Sequence, residues 1–329
     1  MATVPVEPTT VGSSSRPRSV GKPPQAHKVP LLTRIRRDKV LLAMIVPGFL
    51  YFTVFQWLPL FGNVIAFLDY QPYIGFINSV WVGFENFATV FSDPTFYAAL
   101  RNTIVITVLQ LVLFFPVPIA LALLLNSIMS PKVRSFVQSV VYLPHFIGWV
   151  LLVSIFTQLL GPMGVVPNLL EALGLPPFSA MTSPAFFPFL MVIETIWKDA
   201  GWGTIIFLAA LGNINSELYE AAAMDGASKW RRTWHVTLPG IMPVIILLLI
   251  LQIGTILSVG FEQIILQRDA VGPEAAEVLD TWVYYHGIQD GEWGPATAVG
   301  LVKGIIGFAL VLGSNKLAHL FGQDGIYRK

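Results

Sequence analysis

One long apolar run, at positions 185–211, contains four residues that carry charge or present a flat aromatic face: Glu194, Trp197, Lys198 and Asp199. Ionisable residues are costly inside a membrane helix, and they usually face a cavity or a partner. Glu194 and Lys198 are four positions apart, so they share one helix face and can pair. Either they form a self-neutralised structural pair, or they belong to a polar stretch that lines a solute path.

Lys303 poses a similar question in a second apolar run, at 295–317. No acidic residue lies between Trp293 and Asp324, so Lys303 has no local partner. It therefore requires a carboxylate from another helix or a water-filled lumen. His145, beside Pro144, is a further polar candidate within an apolar run, at 136–160.

The sequence has no motif that predicts an enzyme. It lacks a G-x-x-x-x-G-K-[ST] phosphate-binding loop, so any ATP hydrolysis must occur on another chain. It also lacks an H-E-x-x-H motif or clustered histidines for a metal, and a G-x-S-x-G elbow for a nucleophilic serine. Thiol chemistry is excluded because there is no cysteine. We expect no catalytic residue, metal or cofactor on this chain.

Composition predicts a membrane protein with several spans. Of the 329 residues, 54% are hydrophobic and 12% are charged, whereas soluble domains carry about 25% charged residues. The net charge of +1 gives no field that would attract nucleic acid. The polar segment 1–38, rich in proline and serine, is predicted to be a disordered basic tail before a transmembrane domain at 39–329.

Six apolar runs are each close to the ~20 residues that cross a bilayer as a helix. The predicted spans are about 40–61, 103–125, 136–160, 185–211, 239–259 and 295–317.

Lysine and arginine fix the predicted orientation. With both termini cytoplasmic, the inner segments hold sixteen of the twenty lysine and arginine residues, and the outer segments hold Arg101 and Arg268. The long outer segment at 260–294 is acidic and aromatic. An interfacial aromatic belt and a docking surface for a solute-binding protein both remain open as explanations.

The polar, basic interval 213–243 separates two of these runs and is predicted to be a helix, a sharp turn and a second short helix. Asn215 or Ser216 can cap the first helix, and Gly226 can take the left-handed position that ends it. Ser228 can cap the second helix. Taken by itself, the interval is either an ordinary amphipathic loop or a small-residue helix that docks in a groove of another protein.

The same interval resembles the EAA loop of inner-membrane permeases in binding-protein-dependent ABC importers. The motif residues are Glu220, Ala221, Ala222, Asp225 and Gly226, followed by Leu238 and Pro239. Further segments similar to carbohydrate-type permeases include Trp81–Phe87, Asn102–Thr103 and Gly164–Leu175, so that the similarity covers roughly residues 38–329. The segments beginning at Phe261 and Asp280 resemble the polysaccharide-permease branch.

This resemblance implies an all-α type I importer bundle of six transmembrane helices with a cytoplasmic coupling helix. It implies a carbohydrate permease of the cytoplasmic membrane that works by alternating access. The implied partners are membrane lipid, a second permease, two ATPase subunits that hold ATP and magnesium, and an external solute-binding protein.

The resemblance also implies that the fourth span lines the cavity, which favours the solute-path interpretation there. The expected path residues are Glu194, Trp197, Lys198, Asp199, Lys303 and His145. The alternative from another class is a channel or an ion- or proton-coupled carrier with Glu194, Asp199 and Lys303 as its relay.

Overall fold

The structure, a computed structural model, describes residues 37–320, 322 and 325–327. The predicted tail at 1–38 lies outside the described residues, apart from Arg37 and Asp38. The chain divides into two compact units, Met1–Leu60 and Phe61–Lys329.

The described part of the first unit is one apolar helix. Helix α1 spans Lys39–Phe52 and continues into a π-helical turn at Thr53–Trp57. Pro47 lies inside α1, and Phe49 packs edge-on against Trp57 with ring centroids 5.8 Å apart. This helix matches the span expected at 40–61.

The second unit is also helical, apart from a two-stranded antiparallel hairpin in which Leu68 pairs with Trp81 and Asp69 with Val80. Its first elements are a 3₁₀ segment Leu58–Phe67 that begins in the first unit, β1 Leu68–Asp69, α2 Gly75–Asn78, β2 Val80–Trp81, α3 Glu85–Ser92, α4 Pro94–Leu109, α5 Pro116–Ser127, α6 Pro131–Tyr142, α7 Trp149–Leu160 and α8 Val165–Ala172. The later helices are α9 Phe187–Gly212, α10 Ser216–Met224, α11 Lys229–Arg232, α12 Leu238–Gly254, α13 Phe261–Ile265, α14 Arg268–Val271, α15 Pro273–Ala276, α16 Leu279–Tyr284 and α17 Trp293–Leu320.

Five continuous helical stretches among the described residues are long and apolar enough to cross a membrane. They are Lys39–Phe67, Pro94–Ser127, Trp149–Ala172, Lys229–Gly254 and Trp293–Leu320. The span expected at 185–211 corresponds to α9, which has 26 residues but is not among the five. Its charged residues Glu194, Lys198 and Asp199 lower its hydropathy, so length and composition alone do not confirm a count of six.

The run expected as a single span at 136–160 is two helices. Helix α6 ends at Tyr142, a 3₁₀ turn follows at Leu143–Phe146, and α7 begins at Trp149. Pro144 lies in that turn, and Gly148 is extended, with ψ 151°. Because a proline lacks the backbone N–H that a continuous helix needs, the chain breaks here. The break exposes carbonyl groups that other side chains must satisfy.

Helix α9 passes through two of the buried clusters of the second unit. Near its start, Phe187, Leu190 and Met191 pack with residues of α4, α7 and the 260–294 segment. Near its end, Phe207 and Leu211 pack with α5 and α12. Gly201 lies directly against the backbone carbonyl of Val141 in α6, where a side chain would overlap it. Small residues therefore let α9 approach its neighbours at backbone distance.

The 260–294 segment folds back onto α4 as four short helices, α13 to α16. Asn102 Nδ2 donates to the carbonyl oxygens of Glu274 and Glu277, each at 3.0 Å. The backbone N–H of Leu279 donates to Thr103 Oγ1 at 2.9 Å. Polar side chains of α4 thus anchor this segment and satisfy its buried backbone groups.

Candidate functional sites

The loop between α9 and α12 carries the first candidate site, a helix with local caps at both ends. Asn215 Oδ1 accepts from the N–H of Glu217 at 3.0 Å and caps α10, as one of the two expected candidates. Gly226 has φ +73°, and the N–H of Ala227 donates to Ala222 at 2.9 Å. This is the left-handed Schellman ending that the sequence predicts. Ser228 Oγ caps α11 at 3.4 Å, also as expected.

Two contacts attach α10 to the start of α12. The Tyr219 hydroxyl donates to Oγ1 of the buried Thr237 at 3.1 Å. Gly240 lies so close to Ile214 that an added Cβ would be 2.9 Å from the isoleucine Cδ1 atom. Pro239 is in the first turn of α12, where its missing N–H costs nothing, and Pro243 lies inside that helix. These contacts hold the 213–224 stretch against the start of α12.

The outer face of this loop carries exposed apolar side chains that no described residue covers. None of the residues of α10 is buried. Leu218 is 54% exposed, Met224 is 89% exposed and Trp230 is 71% exposed. The predicted coupling residues Glu220, Ala221, Asp225 and Gly226 are exposed, and Ala222 and Leu238 are half-buried. Exposed apolar side chains around a small-residue helix form a surface suited to a protein partner.

The second candidate site is the helix break between α6 and α7, which side chains of α9 hold in place. Lys198 Nζ donates to the carbonyl oxygens of His145 at 2.7 Å and of Ile147 at 2.6 Å. Asp199 Oδ1 lies 2.8 Å from His145 Nδ1, and the imidazole stacks on Trp202 with centroids 4.5 Å apart. Lys198 thus satisfies the carbonyl groups that the break leaves free.

Glu194 does not contact the helix break but binds two glutamines of the 260–294 segment. Its side chain is fully buried, and Oε2 accepts from Gln263 Nε2 at 2.8 Å and from Gln267 Nε2 at 2.7 Å. Within the part of the chain that the structure describes, Oε1 of Glu194 and Oε1 of Gln267 have no hydrogen-bond partner. Among the ion pairs of the described residues, none joins Glu194 to Lys198. The self-neutralised pair expected as one alternative is thus replaced by two separate polar contacts.

The other two predicted path residues occupy further separate positions. Trp197 is 44% exposed, and its ring packs edge-on against Phe156 at 5.9 Å. Lys303 forms an ion pair with Asp280 of α16. Of the two expected alternatives for Lys303, a carboxylate from another helix or a water-filled lumen, the structure shows the carboxylate.

The structure therefore brings together three of the predicted path residues: His145, Lys198 and Asp199. It does not join Glu194, Asp199 and Lys303 into the continuous relay that an ion-coupled carrier would use, because each contacts a different partner. Sequence reasoning missed the partner residues Gln263, Gln267, Asp280 and Trp202. The signal for the first two is a pair of glutamines four positions apart in the largely apolar stretch 261–267.

Long apolar helices, a broken helix and an exposed capped helix in the 213–243 loop define a membrane protein with several spans and an exposed apolar surface on one loop. Residues 114–261 match the family model described as binding-protein-dependent transport system inner membrane component. The chain belongs to this family, and it is a transport subunit rather than an enzyme.

Two relatives from Bacillus subtilis (strain 168) cover nearly the whole chain. The polygalacturonan/rhamnogalacturonan transport system permease protein YteP is 45% identical over 90% of this chain and 93% of its own length. Protein LplB is 43% identical over the same shares. A solved bacterial ABC transporter involved in import of the acidic polysaccharide alginate contains a chain 38% identical, with a TM-score of 0.81 over 88% of this chain and 98% of that one. The predicted permease bundle is thus confirmed as the fold class.

Proposed function

We propose that this chain is one permease subunit of an ATP-driven importer that moves an oligosaccharide or polysaccharide fragment across the cytoplasmic membrane. The observation that carries the proposal is the exposed, capped helix α10, which is tied to α12 through Tyr219 and Thr237. The names of the relatives support the substrate class, since they describe a polygalacturonan/rhamnogalacturonan permease and an importer of the polysaccharide alginate.

The proposed assembly contains a second permease subunit, two ATPase subunits and an external solute-binding protein, with membrane lipid around the bundle. The chain has no phosphate-binding loop, so ATP and magnesium bind the ATPase subunits. A related alginate transporter was solved in complex with a pentasaccharide-bound periplasmic protein, and its matching chain is 37% identical to this one. The charge bias supports cytoplasmic termini and a cytoplasmic 213–243 loop.

In the proposed mechanism, α10 couples ATP hydrolysis on the ATPase subunits to the opening and closing of the solute cavity. Closure of the ATPase dimer displaces α10, and the contacts of Ile214 and Tyr219 carry this displacement to α12. The bundle then alternates between inward-open and outward-open states, and both ATP and solute bias this two-state element. The break at 145–148 gives α6 and α7 a point about which they can reorient.

Gly226→Val tests the coupling role. Valine at a left-handed position is strained by about 1–3 kcal/mol, and its branched side chain projects into the docking surface. We expect solute-stimulated ATP hydrolysis of the reconstituted complex to fall on the order of tenfold, the change that about 1.4 kcal/mol represents.

Gly174→Val is the matched control. Gly174 has the same φ of +73°, the same open surroundings and the same Schellman ending, but at the end of α8. The Gly174→Val substitution introduces equal backbone strain away from the coupling loop, so we expect nearly normal solute-stimulated ATP hydrolysis. Equal stimulation in wild type and Gly226→Val, or an equal loss in both variants, would count against the coupling role.

A further inference from the structure

Lys303 differs from the other cations near the 260–294 segment in how it is held. The guanidinium of Arg268 lies 2.6 Å from the Glu277 carboxylate and stacks 3.9 Å from the Tyr285 ring centroid. Lys198 donates to two backbone carbonyls. Among the described residues Lys303 pairs with a single group, the Asp280 carboxylate, and the two side chains are 17% and 25% exposed. A single partly exposed carboxylate is a partner that can be exchanged.

Lys303 also lines a cavity of about 330 Å³ between α12 and α17. Gly300 and Gly307 lie on the same face of α17 as Lys303, because they are three and four residues from it, and Gly304 also lines the cavity. A Cβ added at Gly300 or Gly304 would meet nothing within 4 Å. The facing wall includes the hydroxyl-bearing residues Thr255 and Ser258. The cavity therefore offers a cation, hydroxyl groups and accessible backbone, which is chemistry that suits a polar solute.

The Lys303–Asp280 ion pair determines which solutes can bind in this cavity at low energetic cost. An unpaired lysine is costly at membrane depth, and so is an isolated carboxylate. A neutral solute that separates Lys303 from Asp280 gives the ammonium no compensating charge. A solute carboxylate replaces Asp280 as a partner of equal charge, and it forms a charge-assisted hydrogen bond with the ammonium.

We propose that Lys303 is an exchangeable carboxylate-binding residue that selects acidic, uronate-containing oligosaccharides by replacing Asp280 with a carboxylate of the solute. This inference rests on the proposed carbohydrate import and adds to it the charge class of the sugar. The glycine face of α17 lets a sugar ring approach the helix backbone, and Asp280 keeps the lysine neutralised when solute is absent.

The test is uptake by proteoliposomes that contain the whole complex, with its binding protein outside. The two probes are trigalacturonate and its fully methyl-esterified form, which share one backbone and differ in charge. The central variant is Lys303→Met/Asp280→Asn, because removal of both charges leaves no stranded carboxylate. We expect it to assemble normally and to import trigalacturonate roughly tenfold more slowly, as loss of one charged hydrogen bond predicts. Uptake of the ester should change little.

Three controls separate selectivity from structural damage. Lys303→Arg keeps the charge and should retain acidic uptake. Lys316→Met removes an exposed lysine of the same helix and should behave like wild type. Lys303→Cys in the Asp280→Asn background reacts with 2-aminoethyl methanethiosulfonate to regain an ammonium, since the chain has no other cysteine. This treatment should restore acidic uptake.

The outcomes distinguish the two proposals. Unchanged trigalacturonate uptake in the double variant, or equal losses for acid and ester, overturns the exchange at Lys303 while carbohydrate import stands. If the wild-type complex imports neither saccharide, the proposed function is wrong and the exchange falls with it.

Discussion

The polar residues of α9 act through distant partners, and Glu194 shows this most clearly. Its carboxylate receives two amide hydrogen bonds on one oxygen and none on the other. Both donors belong to the 260–294 segment, so Glu194 fixes that segment against α9. A buried carboxylate with one unsatisfied oxygen is a costly arrangement, whereas a fully hydrogen-bonded one stabilises a unique packing.

Glu194→Gln and Glu194→Ala should therefore differ sharply in stability. The glutamine oxygen can accept from Gln263 and Gln267, and its amide nitrogen replaces the unpartnered Oε1 atom. Alanine instead strands two buried amide groups, each at a cost of about 1–3 kcal/mol. We expect the alanine variant of the detergent-solubilised complex to melt several degrees lower, and the glutamine variant to melt near wild type. Equal melting temperatures for the two variants would contradict this role of the carboxylate.

Sequence reasoning located the caps of the 213–243 loop because capping is local. Asn215, Gly226 and Ser228 each bond within five residues along the chain. The partners of Glu194 lie 69 and 73 residues away, and Asp280 lies 23 residues from Lys303. The spacing of Glu194 and Lys198 allowed a pair, but tertiary contacts with free carbonyls and glutamine amides replaced it. Spacing along one helix cannot reveal such competing partners.

At the scale of elements, α9 packs at backbone distance against α6 and the helix break that separates α6 from α7. Gly201 packs against the Val141 carbonyl, and one helical turn earlier Lys198 binds the carbonyls at the break. Hydropathy predicted one continuous span at 136–160 because the residues on both sides of the break are apolar. Only the tertiary position of Lys198 explains how the exposed carbonyls are tolerated at that depth.

Gly201→Ala should disturb this contact, because its Cβ would overlap the Val141 carbonyl, which cannot move as a side chain does. Overpacking of this kind costs about 1–3 kcal/mol. Gly212→Ala, at the last residue of the same helix, has nothing within 4 Å of the added Cβ and is the matched control. We expect a lower yield of assembled complex for Gly201→Ala alone, measured by ATPase co-purified per permease. Equal yields for both variants would show that the contact tolerates a methyl group.

At the scale of the whole molecule, composition and the EAA-like loop were enough to predict the permease family, which the relatives confirm. The predicted spans follow the apolar runs, but α9 departs from the simple pattern because it carries three charged residues. Those charges bind the helix break, the 260–294 segment and an imidazole, so the most highly charged of the expected spans connects the helix break with the 260–294 segment.

The central claim is that this chain transports solute through ATP hydrolysis on partner subunits, and not through an ion gradient. The most direct measurement is the initial rate of oligosaccharide uptake by proteoliposomes that hold the complete complex and its binding protein. One preparation encloses ATP without an ion gradient, and the other has an imposed proton or sodium gradient without ATP. We predict uptake in the first preparation only, and its loss when vanadate is enclosed with the ATP. Uptake in the second preparation, at a rate equal to that in the first, would contradict the claim.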